Sequence, residues 1–345
     1  MTYPGAARSE KAARFPHPIT GTWFDFRHRN PIVAWSETAA AFTDDQWRYK
    51  VWEMVDAGMD TLIASCVSLH GKAFWPSRVI PDRWPMAAAD PVEAVLAAAD
   101  ERGARVFLGL GFFGADVSDN HRATPHEMEL RRLVPAELLE VYGHHPSLAG
   151  WYLPAESCIT GHFAPVYVEY TRSFAANCKQ LDPTREILIS PYGTRSAAGD
   201  DEYARQLLEL EVDIVAYQDE VGVRKTRVDE LAAIFERLAG AHRQARIPLW
   251  ANVEIFDYHG QPYRDPPLAA QFTRVEQQIA AVSPHVEKVI CYQYFGLMND
   301  PDSRAPVRVE GAEKLWTDYR RWRKDRVREG NRTMEGNTHR RLGAL

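Results

Sequence analysis

One repeated pattern limits the fold of this chain more than any other feature: a short apolar run followed by a helix-periodic segment. The runs are continuously apolar rather than alternating, which is typical of parallel strands covered on both faces. Eight runs occur, with no second apolar module left over. Eight consecutive units favour an α/β fold, a single closed (β/α)8 TIM barrel, over a doubly wound open sheet. The predicted strands are Ile19–Phe26, Asp60–Val67, Arg105–Phe113, Leu148–Leu153, Glu186–Tyr192, Val212–Asp219, Pro248–Phe256 and Val286–Phe295.

The segments between the runs carry helix start and stop signals. Thr43 and Gln46 have the spacing of a capping box before a helix that ends near Gly58. Pro135 lies inside the helix predicted over Glu127–Tyr142, so we expect a kink or a break there. The helices and strands therefore alternate throughout the barrel.

The composition is that of a globular protein, and it excludes some functions. A formal net charge of -6 over 345 residues argues against a nucleic-acid-binding surface. No apolar run approaches the roughly 20 residues of a membrane span, and the first residues lack the apolar core of a secretory signal. We expect a disordered segment over 1–18, a barrel domain over 19–327 and a flexible basic tail over 328–345, in a cytoplasmic bacterial protein. The scattered cysteines predict buried thiols rather than bridges: Cys66, Cys158, Cys178 and Cys291.

The active site of such a barrel lies at the C-terminal ends of its strands. The side chains predicted there are carboxylates, amides and aromatic rings, with little lysine or arginine, which suits a neutral polyol better than a phosphorylated one. Asp116 follows the third strand as a further polar rim residue. We expect the substrate to contact Trp23, Asp25, His70, Trp151, Tyr192, Tyr217, Gln218, Asp219, Glu220, Asn252 and Tyr294.

Two glutamates at strand ends are the candidates for catalysis. Glu156 follows the fourth apolar run, and Glu254 lies near the end of the seventh. Cleavage of a glycosidic bond needs two carboxyl groups, one that protonates the leaving oxygen and one that attacks the sugar or activates water. We predict a raised pKa for Glu156, an ionised Glu254, and a hydrogen bond from Tyr294 to Glu254. Asp25, Asp219 and Glu220 are the competing carboxylates.

Glutamates on the fourth and seventh strands resemble the clan A glycoside hydrolases, which are retaining TIM-barrel enzymes. The resemblance implies that Glu156 is the acid/base and Glu254 the nucleophile. Most of that clan has an asparagine before the acid/base, where this chain has Ala155. The hydrogen bond that this asparagine gives to the sugar 2-hydroxyl must then come from another residue.

A second resemblance covers nearly the whole barrel, from Ile19 to Asn299. The chain is similar to an uncharacterised bacterial barrel family grouped with the TIM-barrel glycosidases. The motifs that carry this resemblance are Gly58–Ile63, Phe107–Leu110, Gly150–Glu156, Gln218–Gly222 and Trp250–Phe256. The resemblance implies the fold and the site, and it implies no particular reaction.

Other motifs do not predict a cofactor. The glycines from Gly109 to Gly114 match a dinucleotide fingerprint, but a polar loop follows them instead of a helix. His144 and His145 lie at a helix end and are predicted to cap carbonyl groups rather than to bind a metal. We therefore predict a glycoside hydrolase that needs no cofactor and acts on a small carbohydrate. The alternatives are a metal-dependent sugar isomerase or lyase and a non-catalytic carbohydrate-binding barrel.

Overall fold

A computed structural model describes residues 16–30, 33, 35–113, 124–154, 156 and 158–326. Its centre is a closed barrel of eight strands, each parallel to both of its neighbours. The last strand pairs with the first, so the predicted barrel is confirmed and an open sheet is excluded. The strands are β1 (Ile19–Phe24), β2 (Thr61–Ala64), β3 (Arg105–Gly109), β4 (Leu148–Leu153), β5 (Glu186–Ile189), β6 (Ile214–Gln218), β7 (Leu249–Glu254) and β8 (Lys288–Tyr292).

Helices cover the outside of the barrel between consecutive strands. Thr43 and Gln46 form the predicted capping box at the start of the second helix. The fourth helix runs through Pro135 as one element, so the predicted break does not occur. The helices are α1 (Trp35–Ala40), α2 (Asp44–Asp56), α3 (Pro91–Arg102), α4 (Pro125–Tyr142), α5 (Pro165–Leu181), α6 (Asp201–Glu209), α7 (Leu231–Ala245) and α8 (Phe272–Val282), followed by a helix over 312–326.

The strands separate two apolar layers, because successive side chains of a strand point to opposite faces. In β4, Tyr152 points into the barrel, where its ring lies 4.4 Å from that of Trp23. Trp151, its neighbour in the chain, packs into the outer layer under the helices. Gly150 allows β4 and β5 to approach closely, since a Cβ there would lie 2.0 Å from the carbonyl oxygen of Glu186.

Two short antiparallel hairpins, which the sequence did not predict, extend from the C-terminal end of the barrel. Ser68–Leu69 pairs with Lys72–Ala73 after β2, and Phe256–Tyr258 pairs with Pro267–Ala269 after β7. All four cysteines are free, but Cys158 is exposed rather than buried. Among the described helices, none has the length and apolar character needed to span a bilayer.

Some predictions concern residues outside those that the structure describes. These are the disordered segment over 1–15, the tail over 328–345, the polar residue Asp116, the glycine Gly114 and Ala155 before the candidate acid. For these residues the predictions stand as made.

Candidate active site

A cavity of about 610 Å³ opens at the C-terminal ends of the strands. Both candidate glutamates line it, although one follows β4 and the other ends β7. Aromatic side chains make up much of the wall, with carboxylates between them. The predicted residues that line the cavity are Trp23, Asp25, Glu156, Tyr192, Gln218, Glu220, Asn252 and Glu254.

Five residues predicted to contact the substrate lie outside this cavity, and one of them, Asp219, lies behind its wall next to Glu254. Trp151 faces the helices because the strand direction places Tyr152 inside. Tyr217 is buried between helices, where its hydroxyl lies 2.9 Å from both the Tyr203 hydroxyl and Nε2 of His242. His70 lies in the hairpin turn after β2, with φ 52°.

The fifth is Tyr294, which we predicted to hydrogen-bond Glu254. Strand β8 ends at Tyr292, and the chain then turns away from the cavity. The Tyr294 hydroxyl donates to Glu53 Oε1 at 2.8 Å, so the predicted hydrogen bond is wrong. Tyr292, two residues earlier and next to Glu254 across β7 and β8, lines the cavity instead.

Glu156 lies near the cavity mouth and is paired with an arginine. Its Oε2 lies 3.2 Å from Nη2 of Arg29, which belongs to the loop after β1. The Glu156 carboxylate raises the pKa of the Arg29 guanidinium above its usual range. The Glu156 side chain is 28% exposed, so solvent and ligands can reach it.

Glu254 lies deeper, at 3% exposure, beside a second buried carboxyl group. Its Oε2 accepts a hydrogen bond of 2.9 Å from the backbone N–H of Val223. Asp219, at the end of β6, accepts from the backbone N–H of Glu254 at 3.1 Å and from Nε2 of Gln278 at 2.6 Å. Asp219 is therefore behind the cavity wall, in contact with Glu254, rather than at the position predicted for a substrate contact.

The electrostatics of this pair differ from what we predicted. Burial and the Asp219 carboxylate raise the pKa of Glu254 well above its usual range. Burial raises the pKa of Asp219 to about 6. Burial and the neighbouring charge both favour the protonated form of Glu254 in the ligand-free site, whereas we predicted the ionised form.

Two buried polar atoms of the cavity wall have no hydrogen-bond partner among the described residues. They are Nε1 of Trp23, a donor, and Oδ1 of Asn252, an acceptor. Buried polar groups in folded proteins usually have partners, so such atoms in a cavity wall suit a hydroxylated ligand. By contrast, Asp25 is already engaged, since Trp35 Nε1 and Gln293 Nε2 donate to its Oδ2 at 3.3 and 2.9 Å.

The sequence reasoning missed the cationic side chains of the cavity. Arg27, Arg29 and Lys225 all line it, so the prediction of a rim with little arginine or lysine is wrong. Lys225 lies 3.7 Å from Glu220 and over the ring of Tyr192, at 4.8 Å. These residues lie in the loops after β1 and β6. Their closeness in sequence to the strand ends was the only feature that could have placed them in the cavity wall. Paired with carboxylates, they leave the wall polar without a strong net charge.

The closed barrel of eight parallel strands, with helices between them, defines a single (β/α)8 TIM barrel. The chain belongs to the family described as Domain of unknown function (DUF4434), whose model matches residues 19–305. This match confirms the resemblance to an uncharacterised barrel family. Among curated proteins, no match to the sequence is found.

Solved structures with the same fold include several glycosidases. A protein of Bacteroides thetaiotaomicron, for which an alpha-L-fucosidase activity has been suggested, is 21% identical with a TM-score of 0.69, covering 93% of this chain and 98% of that one. A GH5_18 protein of Streptomyces cattleya in complex with Manb1-4GlcNAc is 17% identical with a TM-score of 0.54, covering 90% and 81%. A beta-D-glucuronidase of Dictyoglomus thermophilum is 13% identical with a TM-score of 0.52. The alignment covers 90% of this chain and 51% of that protein. At these identities the likeness shows the fold alone.

Proposed function

We propose that this protein is a retaining glycoside hydrolase that cleaves a small glycoside or oligosaccharide, with Glu156 and Glu254 as its two carboxyl groups. The observation that carries the proposal is that both glutamates, from β4 and β7, line one cavity with aromatic walls. Aromatic rings offer flat apolar surfaces to the C–H faces of a sugar. The unpartnered atoms of Trp23 and Asn252 offer one donor and one acceptor to its hydroxyls.

The depths of the two glutamates favour different roles. When a sugar ring is bound in the cavity, its leaving group points toward the mouth, where Glu156 is partly exposed. Glu156 then protonates the leaving oxygen, while the buried Glu254 attacks the anomeric carbon and forms the covalent glycosyl intermediate. Water subsequently displaces the sugar with Glu156 acting as the base. The roles agree with those that the clan A resemblance implies.

The surroundings of Glu254 favour its protonated form, whereas the proposed reaction needs Glu254 ionised and a proton on Glu156, so the proton has to move between them before cleavage. Arg29 Nη2 contacts Glu156 Oε2 at 3.2 Å, so the bound substrate has to compete with this ion pair. We therefore include the release of Arg29 from Glu156 by the bound substrate as part of the mechanism. A guanidinium that turns to a substrate oxygen leaves Glu156 free to accept the proton.

A screen of aryl glycosides of both anomers tests the proposal, followed by variants on any substrate that is cleaved. We expect Glu156→Ala and Glu254→Ala each to lower kcat by at least about 100-fold. Asp257→Asn is the matched control, because Asp257 follows β7 but pairs with Arg224 outside the cavity. This variant should keep wild-type turnover.

Azide separates the two roles. With Glu254→Ala, azide should give a glycosyl azide of inverted configuration, and with Glu156→Ala, one of retained configuration. Wild-type activity in both variants would refute the assignment. Unchanged sugar affinity in both variants without any turnover would indicate a binding barrel, and loss of activity on chelation would indicate a metal-dependent reaction.

A further inference from the structure

A cluster of metal-ligating side chains lies at the end of β4 opposite to Glu156. His144 and His145 belong to the turn that joins α4 to β4, and Glu93 lies in the first turn of α3. One ligand atom from each of these three residues lies within 4.8 Å of the other two. The cluster is separate from the cavity, and the proposed hydrolysis uses none of its residues.

His145 is oriented as a metal ligand would be. The ring is buried, and Nδ1 lies 2.6 Å from Oδ2 of Asp100. Asp100 is itself fixed, because its Oδ1 accepts the backbone N–H of Ser147 at 2.7 Å. A histidine that binds a metal usually donates its other ring N–H to such a carboxylate. Nε2 of His145 thus points to the half-exposed Glu93, whose Oε2 lies 3.0 Å away.

The spacing of the cluster is suitable for a tetrahedral ion. Two ligands at about 2.1 Å from Zn²⁺ lie about 3.4 Å apart at a tetrahedral angle. The separation of 3.0 Å between His145 and Glu93, and the upper limit of 4.8 Å within the cluster, bracket this value. The exposed ring of His144 lies beside that of His145, with centroids 4.1 Å apart. A small rotation of exposed side chains would bring all three ligands to one ion.

We propose that Glu93, His144 and His145 bind a divalent transition-metal ion of the Zn²⁺ class, with Asp100 as the positioning residue for His145. Two imidazoles and one carboxylate are a donor set that Zn²⁺ accepts, with water as a fourth ligand. The ion joins α3 to the turn before β4, and therefore ties the outer helices to the barrel. We had predicted that these histidines cap helix carbonyls, but the His145 ring contacts carboxylates instead.

The experiment is a titration of the full chain with ZnCl₂ after chelator treatment, followed by calorimetry and by thermal unfolding. We expect one equivalent of Zn²⁺ per chain and a rise in Tm at saturation. His144→Ala removes one ligand without removing a buried group. It should weaken Zn²⁺ binding at least about tenfold and abolish the rise in Tm, while the metal-free Tm stays unchanged.

The matched control is His162→Ala, because His162 is exposed and paired with Asp200 but belongs to no three-residue cluster of metal-ligating side chains in the described part of the chain. Its Zn²⁺ affinity should equal that of the wild type. Asp100→Asn should lower Zn²⁺ affinity about 10–100-fold, as expected for loss of a positioning carboxylate. Absence of saturable binding would overturn the proposal, and so would His144→Ala binding Zn²⁺ as tightly as the wild type. If His145 only bridges Asp100 and Glu93, no saturable Zn²⁺ binding will be observed.

Discussion

Replacing Glu254 with glutamine should stabilise the protein, and the gain should grow as the pH rises. In the unfolded chain this carboxyl titrates at about 4.3, whereas burial and Asp219 raise its pKa in the folded chain. Between these two values the folded state binds one more proton than the unfolded state, so stability falls as the pH rises. Below about pH 4.3 both states bind the proton, and the cost disappears. Glutamine stays neutral and can still accept from the Val223 N–H.

The magnitude follows from the linkage between protons and folding. One proton of difference costs the wild type about 1.4 kcal/mol for each pH unit inside the window between the unfolded and the folded pKa. Asp219, with a pKa of about 6, titrates in both proteins, and its contribution largely cancels in the comparison. Urea unfolding of both proteins at about pH 5, 6 and 7 measures the difference.

We expect the two free energies of unfolding to separate as the pH rises, by up to about 1.4 kcal/mol for each pH unit, while Glu254→Gln loses its turnover. A separation that does not change with pH would refute the reasoning, because it would show that Glu254 is ionised in the folded protein. A variant less stable at about pH 7 than at pH 5, relative to the wild type, would contradict even the sign of the shift.

Three further predictions follow from single contacts. Arg29→Met removes the guanidinium that contacts Glu156 Oε2 at 3.2 Å and that we propose turns to a substrate oxygen, so kcat/KM on a cleaved glycoside should fall about tenfold. Trp23→Phe keeps the ring but loses the unpartnered Nε1 donor, and should lower kcat/KM about tenfold. Gly150→Ala should destabilise the folded protein by about 3 kcal/mol, because the added Cβ would clash with the backbone of Glu186. Gly240→Ala in α7 should stabilise it by about 1 kcal/mol, because there is open space around the added Cβ. Urea unfolding measures both changes.

The barrel could be predicted from the sequence because the evidence for it is repeated eight times. A strand buried on both faces needs a continuous apolar run, and each run is separated from the next by a helical period. Errors of a few residues at strand ends do not change this pattern. The same errors decide which side chains reach the cavity, as Tyr292 and Tyr294 show: β8 ends at Tyr292, and the next tyrosine packs on Glu53.

The sequence placed both glutamates in one cavity because strand order alone brings strand ends together. It could not predict their partners. Arg29 and Glu156 are 127 positions apart in two loops, and loops have no period that fixes where a side chain points. The direction in which the Trp151 side chain points could not be predicted without the register of β4, because a shift of one residue moves every side chain of a strand to the opposite face. Tyr152 therefore occupies the position that we predicted for its neighbour.

The hydrogen bonds around Asp219 favour its charged form over that of Glu254. Backbone N–H groups of Val221 and Glu254 and the amide of Gln278 all donate to Asp219. Among the described residues, the Glu254 carboxyl accepts one hydrogen bond, from the backbone N–H of Val223. Donors stabilise a carboxylate, so Asp219 is the better solvated charge of the two. The raised pKa of Glu254 therefore depends on the negative charge of Asp219 behind it. The group that has to lose its proton before catalysis is thus the one whose charge the fold supports least, so a bound ligand has to supply the interactions that stabilise the Glu254 carboxylate.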